Sequence, residues 1–256
     1  IAIKTFIFET DTTTVQIFAL LATILIAGMV GLIDDFLGWA QGGLPWKLRI
    51  FLMLIASIPM IVINAGESTI FGVEVGLFWP LFFVPFGIVG ASTTFNLMGG
   101  HNGLESTQGI LILSGLAGVA WFTGNTWLTL ISLVMVFCLI AFYFFNRNPA
   151  SIFPGDVLTY PVGALIAILA ILGNMERIAI VFFIPYIIET VLKVRGRLEK
   201  QSFGKLNSDG SLDVPYEKFY GLEHIAIYVL KKYKGKASER DVVHVINLFQ
   251  IAIIII

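Results

Sequence analysis

Seven stretches of the sequence, each 17 to 20 residues long, consist almost entirely of apolar residues, and an eighth runs to the end of the chain. A helix needs about 20 such residues to cross the hydrocarbon core of a bilayer. We therefore predict membrane spans at residues 14–33, 46–65, 76–95, 106–122, 126–145, 157–173, 178–194 and 242–256. The fold class that follows is an all-α, polytopic membrane helix bundle with about eight transmembrane helices.

The overall composition supports a membrane protein. Hydrophobic residues make up 57% of the 256 residues and charged residues only 13%, whereas soluble domains carry about 25% charged residues. A soluble domain of this size could not cover so much apolar surface with polar groups, but in a bilayer the lipid removes that requirement. The net charge of −1 gives no indication of a nucleic-acid partner.

The basic residues indicate the orientation of the chain. All of the 16 Lys and Arg residues except Lys4 and Arg177 lie in or beside four alternate loops. Those loops are 34–45, 96–105, 146–156 and 195–241. Because cytoplasmic loops are enriched in Lys and Arg, we predict that these four loops face the cytoplasm and that the first span runs inward.

The longest loop, residues 195–241, is expected to carry local structure of its own. Asp209-Gly210 lies between two short runs and predicts a small β-hairpin, because both residues tolerate the positive φ angles of such a turn. The stretch from Leu222 to Tyr233 is apolar and then basic, which is compatible with a helix lying on the membrane surface. We interpret residues 1–256 as one membrane domain. Because the sequence starts at Ile1 and stops inside an apolar run, we expect it to be truncated at both ends.

The first of four polar motifs is GLIDDFLG, which places Asp34 and Asp35 at the inner end of a span. Adjacent carboxylates at a membrane boundary are costly, and they repel each other unless a cation or a proton lies between them. The alternative interpretation is a solvated helix end, although a carboxylate there opposes the helix dipole.

The second motif, FNLMGGHNGLE, contains Asn96, His101, Asn102 and Glu105 among three glycines. Carboxamides offer oxygens to a hard cation, or paired donors and acceptors to a base or a sugar. The glycines allow a close approach of the backbone to a ligand. The alternative is a polar glycine turn between helices, with His101 as a surface histidine.

The third motif, FPGDVLTY, places Asp156 at the start of an apolar helix, where a carboxylate serves either as a helix cap or as a functional group. The fourth is Arg195-Gly196-Arg197. Guanidinium groups suit phosphate oxygens, but basic residues at the inner end of a span also follow from the topology alone. Together the four motifs indicate a magnesium–phosphate site, because Mg²⁺ usually binds through one or two carboxylates plus substrate phosphates.

The order of these motifs, each at the inner end of a span, resembles the polyprenyl-phosphate N-acetylhexosamine-1-phosphate transferases of glycosyltransferase family 4. The form NGLE in the second motif and the sequence Arg195-Gly196-Arg197 are similar to the eukaryotic and archaeal branch, which uses dolichyl phosphate. The resemblance implies a fold of about ten spans, of which this sequence would lack the first two together with their cytoplasmic loop.

The resemblance also implies roles on the acceptor and metal side of the site. Asp34 and Asp35 would be catalytic aspartates near the acceptor phosphate. Asp156 would be a catalytic residue that binds Mg²⁺, with Mn²⁺ as the alternative ion, and Asn96 would be the second metal ligand. Lys47 matches a basic residue after the aspartate pair and would bind the lipid phosphate.

On the donor side, the resemblance places Asn102 and Glu105 near the nucleotide-sugar, and Arg195 and Arg197 at the donor pyrophosphate. One departure concerns a histidine that the family often carries in the last loop, where this sequence has a glycine between the two arginines. His224 lies too far along the chain to be assumed its replacement, so the role of a histidine stays open.

The implied reaction is Mg²⁺-dependent transfer of N-acetylglucosamine-1-phosphate from UDP-N-acetylglucosamine to a polyprenyl (dolichyl) phosphate, giving polyprenyl-diphospho-GlcNAc and UMP. Direct attack and a covalent intermediate on Asp34 both stay open, as does a homodimer. The active site would face the cytoplasm in a cell membrane or endoplasmic reticulum membrane, where such reactions begin N-glycan or cell-envelope glycan assembly. The alternative from another class is a cation-coupled transporter. Transporters tend to place their carboxylates near the bilayer midplane, whereas the carboxylates here lie at helix ends.

Overall fold

A computed structural model describes residues 12–67, 69–70 and 73–256 of the chain. The structure is mainly helical and divides into two compact units. The first unit combines the described residues up to Thr93 with Gly155–Glu176, and the second combines Thr94–Pro154 with Arg177–Ile256.

The helices are numbered here in chain order. They are α1 (Thr12–Gln41), α2 (Trp46–Ala56), α3 (Ile58–Val62), α4 (Val84–Leu97), α5 (Leu104–Phe122), α6 (Thr126–Asn146), α7 (Gly155–Leu172), α8 (Glu176–Phe182), α9 (Ile184–Arg195), α10 (Leu222–Lys234) and α11 (Glu239–Ile255). A π-helical turn, Trp79–Phe83, leads directly into α4. Four short strands are β1 (Thr69–Ile70), β2 (Val73–Glu74), β3 (Lys205–Leu206) and β4 (Leu212–Asp213).

The first unit is organised by the packing of α7 against α1. Helix α7 is apolar on all sides, and residues 159–171 are all buried, as expected for a helix in the interior of a bundle. Gly31 allows the close approach of the two helices, because a Cβ atom there would overlap the backbone carbonyl of Asp156. The contact therefore brings the end of α1 beside the first turn of α7.

The second unit is built on the packing of α5 against α6, with α11 lying against both α5 and α10. Buried polar side chains connect helices of this unit. The Ser132 hydroxyl donates to the Leu113 carbonyl at 2.8 Å, and the Gln250 amide donates to the Phe182 carbonyl at 3.0 Å. Such bonds satisfy polar groups that would be costly to leave unpaired away from water.

Four helices of the described part are long and apolar enough to cross a membrane: Thr12–Gly38, Trp79–Leu97, Thr126–Asn146 and Gly155–Leu172. They correspond to four of the eight predicted spans, and the other four are not confirmed. Helix α5, over the predicted span 106–122, begins with a polar turn, and α11, over 242–256, has 17 residues.

The two remaining predicted spans, 46–65 and 178–194, are each interrupted. Helices α2 and α3 meet at Ser57, and α8 and α9 meet at Phe183. Pro59 and Pro185 occupy the first turns of α3 and α9, where the missing N–H of proline has no intrahelical partner to lose. A count of apolar residues does not detect these breaks, because proline is tolerated in apolar segments.

The predicted hairpin of the long loop is present. β3 pairs with β4 in an antiparallel manner, with Lys205 opposite Asp213 and Leu206 opposite Leu212. Residues 207–211 connect the strands, and Gly210 has a φ of 78° in this turn. The predicted helix after it is α10, whose orientation relative to a membrane surface stays a prediction. A second short pair, β1 with β2, was not predicted.

Candidate functional site

Asp34 lies near the end of α1 and is only 3% exposed. Its Oδ1 accepts a hydrogen bond from the backbone N–H of Leu44 at 2.7 Å, and its Oδ2 lies 2.7 Å from Nε of Arg49. The hydroxyl of Tyr160, one turn into α7, donates to the same Oδ2 at 3.2 Å. The interpretation of Asp34 as part of a solvated helix end is therefore wrong, because this carboxylate is buried among protein donors.

Asp35, the next residue, has a different set of partners. Its Oδ1 accepts from the backbone N–H of Asp156 and its Oδ2 from that of Val157, both at 2.9 Å. The first amides of a helix have no intrahelical partner, so Asp35 caps α7 from the neighbouring helix. Gly155 makes room for this cap. It has a φ of 60°, and an added Cβ atom would lie 2.5 Å from Oδ2 of Asp35.

Asp156 lies in the first turn of α7, and its carboxyl group lies beside that of Asp34. Two carboxylates in contact need a shared proton or a cation between them, since two bare negative charges repel each other. The carboxylate of Asp35 accepts two of the first amides of α7, so the start of this helix does not depend on Asp156 alone. The choice between a cap and a functional group for Asp156 stays a prediction.

The basic residue that pairs with Asp34 is Arg49, which sequence reasoning counted only as an orientation signal. The turn between α1 and α2 brings it there. This turn passes close to Asp34, because an added Cβ atom at Gly43 would lie 2.9 Å from Oδ1 of Asp34. Lys47, the predicted phosphate ligand, is exposed, and its Nζ lies 5.6 Å from the centroid of the Trp46 ring. No sequence pattern separates Arg49 from Lys47, since both lie in the first turn of α2.

In the second unit, Glu105 holds the glycine-rich loop against the first turn of α5. Its Oε1 accepts from the backbone N–H of Gly100 at 2.7 Å. Its Oε2 is buried and has no hydrogen-bond partner in the part of the chain that the structure describes. Burial raises the pKa of Glu105 to about 7. This carboxyl group is therefore readily protonated near neutral pH.

Asn102 is bound by Glu239, the first residue of α11. The backbone N–H of Asn102 donates to Oε1 of Glu239 at 2.8 Å, and its Nδ2 donates to Oε2 at 3.3 Å. Nδ2 of Asn148 donates to the same Oε2 at 2.6 Å. Sequence reasoning missed Glu239. The capping box formed by Ser238 and Asp241 marks the start of this helix, but it does not indicate the partner.

His101 is 4% exposed, so its interpretation as a surface histidine is wrong. Its Nδ1 is buried and lacks a hydrogen-bond partner among the described residues, and burial lowers its pKa. The ring centroid lies 6.2 Å from that of Phe203. Phe203 also occupies the space over Gly100, where an added Cβ atom would overlap its ring. The NGLE loop (residues 99–105) and the segment after the arginines are therefore in contact.

Arg195 ends α9, and Arg197 follows with a left-handed backbone, at a φ of 57°. Both side chains are exposed, and neither guanidinium group forms an ion pair or hydrogen bond within the described residues. His224, whose role the sequence left open, lies in the first turn of α10. It is fully buried, its Nδ1 accepts from the backbone N–H of Tyr220 at 3.1 Å, and burial lowers its pKa.

The three aspartates lie together in the first unit, whereas the candidate residues of the NGLE and arginine motifs, and Asn96 at the end of α4, belong to the second. Within the described ranges, no group of three or more His, Cys, Asp or Glu side chains is arranged to hold a metal ion. Both oxygens of Asp35 accept helix amides, and both oxygens of Asp34 accept hydrogen bonds from Leu44, Arg49 or Tyr160. The prediction that Asp156 and Asn96 share one cation stays a prediction.

Comparison with known proteins places these motifs among membrane transferases. Residues 17–174, more than half of the chain, match the family model of glycosyl transferase family 4. A protein of Saccharolobus solfataricus named "Putative UDP-N-acetylglucosamine--dolichyl-phosphate N-acetylglucosaminephosphotransferase" is 38% identical over 231 residues, which cover 88% of this chain and 68% of that protein. A protein of Sulfolobus acidocaldarius with the same name is 31% identical over 235 residues, 89% of this chain and 68% of its own length.

A bacterial relative differs in the sugar that its name gives. The phospho-N-acetylmuramoyl-pentapeptide-transferase of Streptococcus equi subsp. zooepidemicus is 34% identical over 180 residues, which cover 67% of this chain and 54% of that protein. The matched range 17–174 contains Asp34, Asp35 and Asp156, as well as the NGLE motif. The similarity therefore extends over both sets of candidate residues up to that point of the chain.

Proposed function

Because this chain belongs to glycosyl transferase family 4 and is an integral membrane protein, we propose that it transfers an N-acetylhexosamine-1-phosphate to a polyprenyl phosphate. The two archaeal relatives, which match almost nine tenths of the chain, are named for UDP-N-acetylglucosamine and dolichyl phosphate. We therefore take UDP-N-acetylglucosamine as the donor and dolichyl phosphate as the acceptor, with UMP as the leaving product.

The observation that carries this proposal is the contact between the carboxyl groups of Asp34 and Asp156. Two motifs that are 122 positions apart supply these groups, and a helix cap from Asp35 together with an ion pair from Arg49 holds them in place. Phosphoryl transfer needs little covalent chemistry from the protein, since positioning and neutralisation of charge are most of the catalysis. A pair of carboxyl groups held by directed contacts, with Asp34 buried and Asp156 half-buried, fits that requirement.

The residues of the first unit fit a divalent cation. Mg²⁺ commonly binds through one or two carboxylates plus substrate phosphates, so it does not need a third carboxylate from the protein. Asp156 would hold Mg²⁺ or Mn²⁺, and the family resemblance adds Asn96. When bound, the ion offsets the negative charge of the donor pyrophosphate.

In the proposed reaction an oxygen of the acceptor phosphate attacks the β-phosphorus of the donor, and the bond from that phosphorus to the oxygen of UMP breaks. Lys47, which is exposed, would bind the lipid phosphate. Arg195 and Arg197, whose guanidinium groups are unpaired among the described residues, would bind the donor pyrophosphate. Asn102 keeps its carboxamide oxygen for the donor, because Nδ2 is engaged by Glu239.

The topology belongs to the same proposal. The eight predicted spans would include the interrupted helix pairs and α11, and the basic loops would place the site on the cytoplasmic face. Both archaeal relatives favour a cell membrane over an endoplasmic reticulum membrane. Labelling of single cysteines introduced at residues 124 and 210 of a Cys138→Ala variant would test this, since only the second should be reached from the cytoplasm.

The direct experiment is an assay of UMP release from UDP-N-acetylglucosamine by the purified protein with dolichyl phosphate and Mg²⁺, with chromatography of the lipid product. Chelation should stop the reaction, and added Mg²⁺ or Mn²⁺ should restore it. UDP-N-acetylmuramoyl-pentapeptide is the matched control donor, because the bacterial relatives are named for that sugar. A folded protein that forms no lipid-linked sugar from either donor would overturn the proposal.

A further inference from the structure

The segment that carries the exposed arginines is attached to the protein by a buried carboxylate. Glu189, on α9, has no exposed surface. Its Oε2 accepts from the backbone N–H of Leu222 at 2.6 Å, and its Oε1 accepts from the hydroxyl of Ser202 at 3.1 Å. The Nζ of Lys193, one turn later on α9, lies 3.8 Å from Oε1. One side chain thus joins three parts of the second unit.

These contacts leave little freedom to the backbone after α9. Ser202 is itself 3% exposed, so its hydrogen bond to Glu189 is sealed from water. Phe203, the next residue, is in contact with Gly100 of the NGLE loop. At the far end, an added Cβ atom at Gly221 would lie 3.2 Å from Oε1 of Glu189. The segment 196–204, which includes Arg197, is therefore fixed at α9 and again at residues 202 and 203.

A buried carboxylate is a costly way to achieve packing alone. Removal of a charge from water costs several kcal/mol, and an apolar side chain of similar volume often gives equal or better stability. The cost is increased here by Glu223, a second fully buried carboxyl group that lies beside Gly221 and has no hydrogen-bond partner in the described part of the chain. What the carboxylate of Glu189 provides, and an apolar group does not, is two directed acceptors for the arginine segment and the start of α10.

The arginines depend on this backbone for their position. Neither guanidinium group is held by another side chain of the described residues, so their direction is set by the chain on either side. We propose that Glu189 is a positioning residue for the nucleotide-sugar donor. By accepting hydrogen bonds from Ser202 and Leu222 it holds Arg195 and Arg197 where they bind a diphosphate, without touching the donor itself. This inference rests on the proposed function.

The test compares Glu189→Leu, which removes both acceptors at similar volume, with Glu189→Gln, which keeps an acceptor for Leu222 and a partner for Ser202. We expect Glu189→Leu to raise KM for UDP-N-acetylglucosamine by about ten- to a hundredfold, the range for loss of a hydrogen bond to a charged group. KM for dolichyl phosphate should stay within about twofold, and Glu189→Gln should restore most of the donor affinity. Glu199→Leu makes the same chemical change at an exposed position of the segment and should match wild type.

A second readout follows the segment itself. Amide hydrogen exchange of the free protein should become faster over residues 198–204 in Glu189→Leu. Ser202→Ala keeps the pairing of Glu189 with Lys193 and should show a smaller change in the same direction. It replaces Glu189→Leu in this test if that variant fails to fold. Faster exchange with an unchanged donor KM would overturn the inference, as would equal increases in both KM values. Inactive wild-type protein would instead contradict the proposed function.

Discussion

The cap on α7 gives a prediction that can be worked from the structure. Asp35 accepts the N–H groups of Asp156 and Val157, both at 2.9 Å, and Asp35→Ala would leave both donors without a protein partner. Loss of a helix cap costs about 0.5–2 kcal/mol, and loss of a hydrogen bond to a charged group costs about 1.5–3 kcal/mol. We expect Asp35→Ala to lower the free energy of unfolding by about 2 kcal/mol. Asp35→Asn, which keeps one acceptor oxygen, should lower it by about half as much.

The assay is thermal unfolding of the purified protein in detergent, with turnover measured on the same samples. For chains of this length, 1 kcal/mol corresponds to about 2–4 °C in Tm. The expected decrease in Tm is therefore about 4–8 °C for Asp35→Ala and about 2–4 °C for Asp35→Asn. Turnover should fall in both variants, because Asp156 lies in the turn that the cap holds in place.

Asp34→Asn is the matched control, since it makes the same chemical change one residue earlier. It removes the charge that pairs with Arg49 but leaves the cap of α7 intact. We expect it to lower turnover strongly and to alter the Mg²⁺ dependence of the turnover that remains, whereas Asp35→Asn should alter mainly kcat and Tm. An unchanged Tm for Asp35→Ala would refute the capping argument, and identical behaviour of the two Asn variants would show that the aspartates are equivalent.

Three further predictions concern individual residues. Asp156→Asn should abolish turnover in a protein that still folds and inserts, and substantial Mg²⁺-dependent UMP release by this variant would remove Asp156 from the site. Arg195→Lys and Arg197→Lys keep the charge but lose the planar fork of donors. The value of kcat/KM for UDP-N-acetylglucosamine should therefore fall about ten- to a hundredfold in at least one of them. Wild-type values in both variants would leave the arginines only a role in orienting the chain in the membrane. Burial raises the pKa of Glu105 from 4.5 to about 7, so its contribution to stability is complete below about pH 4.5 and is lost as the pH rises through about 7. Glu105→Gln cannot lose this contribution, and Tm curves that run parallel for variant and wild type from pH 4.5 to 7.5 would contradict the effect of burial.

Much of the architecture and the location of the motifs followed from local sequence. Whether a segment can cross a bilayer depends on its own length and polarity, so the spans that became α1, α6 and α7 were predictable. The hairpin near Gly210 was predictable for the same reason, because a tight turn depends on the residues within it. The interruptions at Ser57 and Phe183 were not, since a helix break inside an apolar segment leaves its hydropathy unchanged.

The partners of the candidate site residues were decided by the tertiary structure alone. Asp34 and Asp35 are adjacent and chemically identical, yet one pairs with Arg49 and the other caps α7, because Gly31 and Gly155 allow the two helices to meet in one register. Likewise nothing near Asn102 in the sequence indicates Glu239, and nothing near Glu189 indicates Leu222. A hydrogen bond acts over about 3 Å, and which groups come that close is determined by the packing of segments far apart in the chain.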